Sequence, residues 1–303
     1  SALNGTIGEM HAKKIVNLYN LAVKTGAPIV GLIDSTGVRL QESDDALNAL
    51  SVVYRKMAQA SGVIPQITAV FGPCGGGLSV LCALSDFTLM EAEKGRLFVN
   101  SPDAIEGNTK EKCDTSKAAF RAAETADVDI CATEGELYGK LRALVSLLPQ
   151  NNEDDTKFTD CADDLNRLTP DITGCIGDTA ILLSQIADNN DFLEVKAGYA
   201  RDMVTGFLRI NGSTVGAVAN RSEVYGADGK KEESFATVLS ANGAEKAAEF
   251  VTFCDAFDIP VLSVTNVTGF KTCMCSEKRL SGAAARLALA FAESTVPKVS
   301  LIT

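Results

Sequence analysis

Apolar and polar positions along this chain fall into blocks whose period switches between that of a helix and that of a strand. Ile15, Leu18, Tyr19, Ala22 and Val23 share one helical face, and Thr6-Ile-Gly-Glu9 ahead of them fits a capping box with Thr6 at the cap. Pro28 opens a β-branched run from Ile29 to Ile33 that reads as a buried strand, ending in the turn Asp34-Ser-Thr-Gly-Val-Arg39. A second helix is expected from about Ser43 to Ala60. A strand from Gln66 to Phe71 then leads into Gly72-Pro-Cys-Gly-Gly-Gly77, followed by a helix over Leu78 to Ala83. Further on, a helix near Gly177–Ala187 precedes two apolar runs, Met203–Ile210 and Thr214–Ala219. The Asn211-Gly212 between them is a strong hairpin signal. Strand, loop and helix in alternation imply α/β layering with parallel strands.

The pattern occurs twice. The stretch from His11 to Gly37 runs in step, without a gap, with the stretch from Gly243 to Gly269, pairing Pro28 with Pro260 and Thr36 with Thr268. Carried on, the same offset pairs Pro65 with Pro297 and Ile67 with Val299. A period this long means two copies of one folding unit rather than a solenoid. Between them, Gln150 to Arg167 is rich in Asn, Asp, Glu and Thr and reads as the linker, which gives domains 1–165 and 166–303. A second copy of the glycine loop would follow Thr303, and a first copy of the hairpin would precede Ser1. The sequence therefore reads as trimmed at both ends.

With 303 residues, 46% of them hydrophobic and 22% charged, two ordinary globular domains are expected. A net charge of −11 argues against broad nucleic-acid binding. Nine scattered cysteines without a CxxC suggest reduced thiols in a cytosolic protein. The single CxC, Cys273 and Cys275, lacks a second pair of ligands, so no metal site is expected. His11 is the sole histidine, which disfavours a Ser-His-Asp triad or a histidine zinc site. No run of 18 apolar residues appears.

Candidate chemistry lies at two strand ends. Gly37 and Val38 close one strand; Gly75, Gly76 and Gly77 close the next and open a helix. Glycine lets a backbone approach a ligand closely, and amides at a helix start point outward with partial positive charge. Side by side, two such turns can form an oxyanion hole for a thioester oxygen as it becomes an enolate. Tight helix–strand packing is the bland alternative for the glycines. Gly-Pro-Cys-Gly-Gly-Gly matches neither the Walker loop nor the dinucleotide fingerprint.

Several motifs carry a resemblance. Asp34-Ser-Thr-Gly-Val-Arg-Leu-Gln-Glu42, Gly62-Val-Ile-Pro-Gln-Ile67, Gly72-Pro-Cys-Gly-Gly-Gly77 and Ser85-Asp-Phe-Thr88 resemble the first half of biotin-dependent acyl-CoA carboxyltransferases. Gly212-Ser-Thr-Val-Gly-Ala-Val-Ala-Asn220, Phe253-Cys-Asp-Ala-Phe-Asp-Ile-Pro260, Val267-Thr-Gly-Phe270 and Ala292-Glu-Ser-Thr-Val-Pro-Lys298 resemble the second. The likeness spans nearly the whole chain and weakens from Lys110 to Thr173. It extends to propionyl-CoA carboxylase β subunits, transcarboxylases and sodium-pumping decarboxylases.

The resemblance implies an α/β fold of tandem crotonase-like (ClpP/crotonase) ββα superhelix domains, with acyl-CoA on the first and biotin on the second. It implies that the amides of Val38 and Gly77 face the thioester oxygen, with Gly37 and Gly76 shaping their turns. Arg39, Gly75, Leu78, Gly269 and Phe270 are the implied substrate-binding positions. Biotin would arrive on a separate carrier protein or domain, and its ureido nitrogen can serve as base, which removes the need for a catalytic histidine. A homo-oligomer, from dimer to hexamer, and in the decarboxylase case a membrane partner, are further implications. Departures from the family pattern are Thr36 and Val38 in the first turn, Leu78 after the glycines, Asn266 and Thr268 before Gly269, and Thr272-Cys-Met-Cys275 after Phe270. Two other readings stay open: an acyl-CoA hydratase, isomerase or hydrolase, which needs an acid/base carboxylate facing the pocket, for example Glu42, and a non-catalytic assembly subunit. Lys13 and Lys14 are candidates for CoA phosphates, with solvated helix positions as the plainer reading.

Overall fold

The first helix shows how burial corrects a spacing argument. The computed structural model describes residues 2–154, 158–170, 172–226 and 228–303. Helix α1 (Glu9–Thr25) faces inward through Ala12, Ile15, Val16, Tyr19 and Ala22, while Leu18 and Val23, expected on that face, stay exposed. Small Ala12 continues the i, i+3, i+4 stripe one turn earlier and rotates the helix accordingly. Its N-cap is Gly8, not Thr6: the Gly8 amide donates to His11 Nδ1 at 3.2 Å, and the Glu9 amide donates to Glu42 at 2.6 Å. A glycine cap has no side-chain acceptor, so a distant carboxylate and the histidine satisfy the orphan amides.

The chain divides into two compact units, Ser1–Asp154 and Asp155–Thr303. The expected break at 165/166 falls inside the second. Asn151 and Asn152 are tied to the first unit through the Gly26 and Val63 carbonyls, whereas Phe158 and Thr159 bridge to Ser213 and Gly212 of the second. The polar composition of that stretch marks surface rather than a free linker.

In the first unit, α1 is followed by β1 (Ile29–Ser35), α2 (Ser43–Ala60), β2 (Gln66–Gly75), α3 (Leu78–Leu84), β3 (Phe87–Glu91), β4 (Arg96–Phe98), α4 (Ala118–Glu124), β5 (Ile130–Ala132) and α5 (Glu134–Leu147). The strands run parallel in the order β1-β2-β3-β5, with β4 also beside β2. Such a sheet carries helices on its faces, and its central strands are apolar throughout. β2 and β3 fit this; β1, expected to be buried, alternates instead and exposes Val30 and Leu32. It is the sheet's edge, paired with β2 alone.

The second unit contains α6 (Thr179–Ile186), β6 (Phe192–Val195), β7 (Met203–Ile210), β8 (Ser213–Asn220), β9 (Glu223–Tyr225), β10 (Lys231–Ser234), β11 (Val238–Leu239), α7 (Ala241–Ala256), β12 (Val261–Thr265), β13 (Gly269–Phe270), α8 (Met274–Glu277), α9 (Leu280–Glu293) and β14 (Lys298–Ile302). Its main sheet has the order β14-β12-β8-β7-β6, parallel at β14, β12 and β8, antiparallel through the hairpin. Asn211 and Gly212 both have positive φ, 53° and 77°, as a two-residue hairpin of this hand requires. Asp188 fixes that turn by accepting both of their amides, at 2.9 and 2.7 Å.

The repeat is a repeat of elements. α1, β1 and β2 start at Glu9, Ile29 and Gln66; α7, β12 and β14 start at Ala241, Val261 and Lys298, each pair one sequence period apart. Even the exit from the helix recurs. Gly26, with φ 64°, is answered by Asp258 with φ 54°, and the bond from Ala27 N to Ala22 O by one from Ile259 N to Cys254 O. Among the described residues no helix is long and apolar enough to cross a membrane.

Two desolvated ionisable groups give tests of this packing. Lys246 on α7 is buried, and its ammonium donates to the carbonyls of Lys196, Tyr199 and Met203 at 2.7, 2.9 and 2.7 Å. Burial pulls its pKa down to about 7, but three acceptors match an ammonium's three hydrogens and hold it charged. Lys246→Met takes a donor from three buried carbonyls, of which Lys196 O keeps the Tyr199 amide, and should cost roughly 3 kcal/mol in urea unfolding. A midpoint equal to that of the unaltered protein would mean that water replaces the ammonium. In the first unit, burial lifts the Asp86 carboxyl from its ordinary 3.8 to about 7, against the 2.7 Å bond from the Gln66 amide and with added repulsion from Asp129. Between these values the folded chain keeps a proton that the unfolded chain releases. This contribution to stability is therefore full below about 4 and lost as pH rises through about 7. Asp86→Asn should flatten that slope when melting is compared at about pH 5 and 8; parallel slopes in the two proteins would refute the assignment.

Candidate functional site

A short parallel bridge shapes the first turn. Ile7 pairs with Val38, and its hydrogen bonds go to the residues on either side: Ile7 N donates to Gly37 O at 2.9 Å, and Arg39 N donates to Ile7 O at 2.8 Å. In a parallel ladder the residue between those two points its own amide the other way. Among the described residues, the Val38 amide has no acceptor. Gly37 takes φ 129°, open to glycine alone, and a Cβ there would meet Gly75 O at 3.2 Å. The two loops therefore abut.

The second turn is built by β2 running into α3. Gly76 N donates to Phe98 O at 2.9 Å, and Gly76, with φ 60°, faces open space where a side chain would go. The carbonyl of Gly76 accepts from Ser79 N, and that of Gly77 from Val80 N. The amides of Gly77 and Leu78 keep no acceptor among the described residues, as expected at a helix start. A Cβ on Gly77 would lie 2.9 Å from the Tyr54 hydroxyl and 3.9 Å from Val38 Cγ2, so the two turns are neighbours. Gly37, Val38, Gly75, Gly76 and Gly77 are thus brought together.

Other expected residues take different parts. The Leu78 side chain is fully buried in the core, leaving only its amide to meet a ligand. Arg39 is occupied: its guanidinium pairs with Glu42 at 2.9 Å and donates to Thr6 O at 3.1 Å. Glu42 does not serve the helix it precedes. Its carboxylate takes the Glu9 amide, a bond that, with Arg39 beside it, holds its pKa below the ordinary range despite some desolvation. His11, through Nδ1, completes the same cap. Lys13 pairs with Glu9 at 2.8 Å on the surface.

Tyr54 on α2 is the residue that spacing alone did not reveal. Its hydroxyl donates to Gly77 O, and burial, then the neighbouring Cys74, pushes its pKa up. The available signal was a phenol on the apolar stripe of Leu50, Val53 and Met57.

The second unit repeats the first turn. Leu239 and Phe270 pair in parallel as Ile7 and Val38 do, and Lys271 N donates to Leu239 O at 2.9 Å as Arg39 N does to Ile7 O. Gly269 and Phe270, both exposed, line a cavity of about 600 Å³ with Val267, Leu287 and Phe291. That volume is within the range of small-molecule sites.

The family model described as the carboxyl transferase domain matches residues 1–303. The chain is 35% identical over 312 residues to the methylmalonyl-CoA decarboxylase subunit alpha of Propionigenium modestum, covering 99% of the chain and 58% of that protein. It is 33% identical over 315 residues to the propionyl-CoA carboxylase beta chain of Roseobacter denitrificans, covering 100% of the chain and 60% of that protein. A crystal structure of transcarboxylase 12S, described as a hexamer with hydrolysed methylmalonyl-CoA bound, superposes with a TM-score of 0.86 at 31% identity, over 98% of this chain and 58% of that one. The chain thus spans less than two thirds of the length of these relatives.

Tyr54→Phe removes the hydroxyl that fixes Gly77 O and leaves the ring in place. It should cost about 1 kcal/mol of stability. It should also speed hydrogen exchange at the Gly77 and Leu78 amides, because the carbonyl that fixes their turn is released. Unchanged exchange at both amides would show that the glycine turn holds itself.

Proposed function

Since the chain belongs to the carboxyl transferase domain family, we propose that it is the part of a biotin-dependent carboxyltransferase that moves a carboxyl group between biotin and the α-carbon of a short-chain acyl-CoA of the propionyl or methylmalonyl type. The observation that carries this reading is the pair of abutting turns in the first unit, whose Val38 and Gly77 amides are left without acceptors. Two such donors stabilise a thioester oxygen more as an enolate than as a ketone-like carbonyl, which is the differential binding that accelerates α-carbon chemistry. Gly37 and Gly76 supply the backbone turns, Gly75 the close packing, and Leu78 a third amide. The engaged guanidinium of Arg39 acts as a brace for the Val38 turn.

The recurrence of helix, strand and turn in both units supports tandem crotonase-like domains, acyl-CoA on the first and biotin on the second. The cavity beside Gly269 and Phe270 is lined mainly by apolar side chains and edged by Ser263 and Thr265, which suits biotin's apolar ring edge and polar ureido group. When bound in its carboxylated form, biotin supplies the carboxyl group. The chain's own part there is to hold that ring and exclude water. A biotin carrier protein or domain and a homo-oligomer belong to the same reading. The homo-oligomer is supported by the hexamer described for transcarboxylase 12S.

The decarboxylation direction, coupled to a membrane partner, has support of its own in the two methylmalonyl-CoA decarboxylase alpha subunits at 35% identity. The hydratase or isomerase reading loses the carboxylate named for it, because Glu42 is committed to the Glu9 amide and Arg39.

The test is carboxyl transfer by the full-length protein from a carboxylated biotin carrier to acetyl-, propionyl- and butyryl-CoA. Gly77→Pro deletes one amide donor and should lower transfer about 100-fold or more, with circular dichroism confirming that the fold persists. Transfer at the unaltered rate in a folded Gly77→Pro protein would end the oxyanion proposal.

A further inference from the structure

Cys273 and Cys275 lie immediately after the second turn, and their Sγ atoms are 2.9 Å apart. That is closer than two sulfurs in ordinary contact and within easy reach of a covalent bond, given the extended backbone at Cys273 (φ −143°, ψ 152°). Both are free thiols; Cys275 is exposed and Cys273 partly so. Beside them is a cavity of about 290 Å³, whose walls include Lys271 and Arg279 as well as Asp202 and Ser240. Cys273 Sγ also accepts the Ser276 amide at 3.3 Å. The bonds from Cys275 and Ser276, with Lys271 nearby, hold the Cys273 thiol below its ordinary pKa against modest desolvation. The other close pair, Cys74 and Cys82 at 3.7 Å, is buried, and the bond with Cys74, then burial, pushes the Cys82 thiol far up. Among the described residues no group of three or more metal-ligating side chains gathers anywhere, which favours covalent chemistry over a metal for this pair.

We propose that Cys273 and Cys275 form a redox-active dithiol that low-molecular-weight disulfides carrying carboxylates oxidise to an intrachain disulfide. The Cys273 thiolate attacks one sulfur of the small disulfide, whose S–S bond breaks and whose other half leaves as a thiol after taking up a proton. Cys275 then gives up its proton and attacks Cys273 Sγ, releasing the second half as a thiol. Two protein thiols are oxidised, one disulfide is reduced to two thiols, and no other reactant is needed. Lys271 offers a carboxylate of the oxidant a cation, whereas Arg279 is already paired with Glu245 and donates to Asn242 Oδ1.

The consequence reaches the turn. Lys271 N holds Leu239 O, the bond flanking Phe270, and Cys273 N holds Lys271 O. Drawing the two sulfurs into a bond takes an acceptor from the buried Ser276 amide and shifts the segment that anchors Phe270 at the cavity of about 600 Å³. That coupling rests on the carboxyltransferase reading; the oxidation itself does not.

The full-length protein is treated with excess oxidised glutathione, its remaining thiols are alkylated, and its peptides are weighed. The Thr272–Lys278 peptide should appear unalkylated and lighter by two hydrogens, and dithiothreitol should restore it. Cys275→Ser should trap one glutathione on Cys273. Full alkylation of both cysteines, or a separate glutathione on each, would overturn the proposal. Carboxyl transfer measured on the same samples should fall on oxidation in the unaltered protein and stay constant in Cys273→Ser. If no sample transfers a carboxyl group, the functional reading fails while the peptide masses still decide the chemistry of the dithiol.

Discussion

One hydrogen-bond register underlies the candidate site: a single residue bridging, in parallel, to the middle of a strand-end turn. Because Ile7 uses the Gly37 carbonyl and the Arg39 amide, Val38 is forced to turn its own amide outward. The donor exists because the backbone on its other side is already satisfied. Side-chain identity at the turn is then secondary, which is why Thr36 and Val38 can stand in a motif otherwise made of smaller residues. Replacing Gly37 is another matter, since its φ of 129° and the carbonyl of Gly75 leave no place for a Cβ.

That register is held from behind by residues that sequence reasoning had offered to substrate. Glu42 closes the N-terminus of α1, Arg39 clamps Glu42 and Thr6, and His11 completes the cap on Gly8. These charges join the start of α1 to the Val38 turn, so the helix and the donor are positioned as one piece. Their polar chemistry is consumed in the brace, which leaves the Val38 and Gly77 amides as unengaged donors of the two turns among the described residues.

The sequence made the period, the hairpin and the glycine turns legible, because each depends on local geometry: proline before a strand, Asn-Gly between apolar runs, glycine where φ is positive. β7 was read to the residue, and α2 likewise. What stayed hidden depends on contacts between distant residues. The Glu42–Glu9 bond spans 33 positions and the Tyr54–Gly77 bond 23, and nothing in residue spacing announces either. The exposure of β1 was hidden for a similar reason, since an edge strand and a central strand share the same β-branched composition. The polar stretch after Gln150 misled in the opposite direction. Its composition suits a linker, yet the Phe158 bridge and Thr159 N fasten it to the hairpin of the second unit.

The two copies of the turn are not equally rigid. In the first, Gly37 is buried against Gly75, and the glycine loop packs under Phe98 and Tyr54. In the second, Gly269 lies outside the left-handed region, has no neighbour within 4 Å of where a Cβ would sit, and is exposed with Phe270. Its position rests on the two-residue ladder of β11 with β13, on the Lys271 bond that follows, and on Thr268, whose N and Oγ1 donate to Thr237 O at 2.8 and 2.9 Å. A turn held by hydrogen bonds, with nothing packed on its glycine, responds to strain introduced beside it. The departure from the family pattern at Thr272-Cys-Met-Cys275 sets two thiols two and four residues beyond Lys271, where a small covalent change acts beside the less closely packed of the two turns.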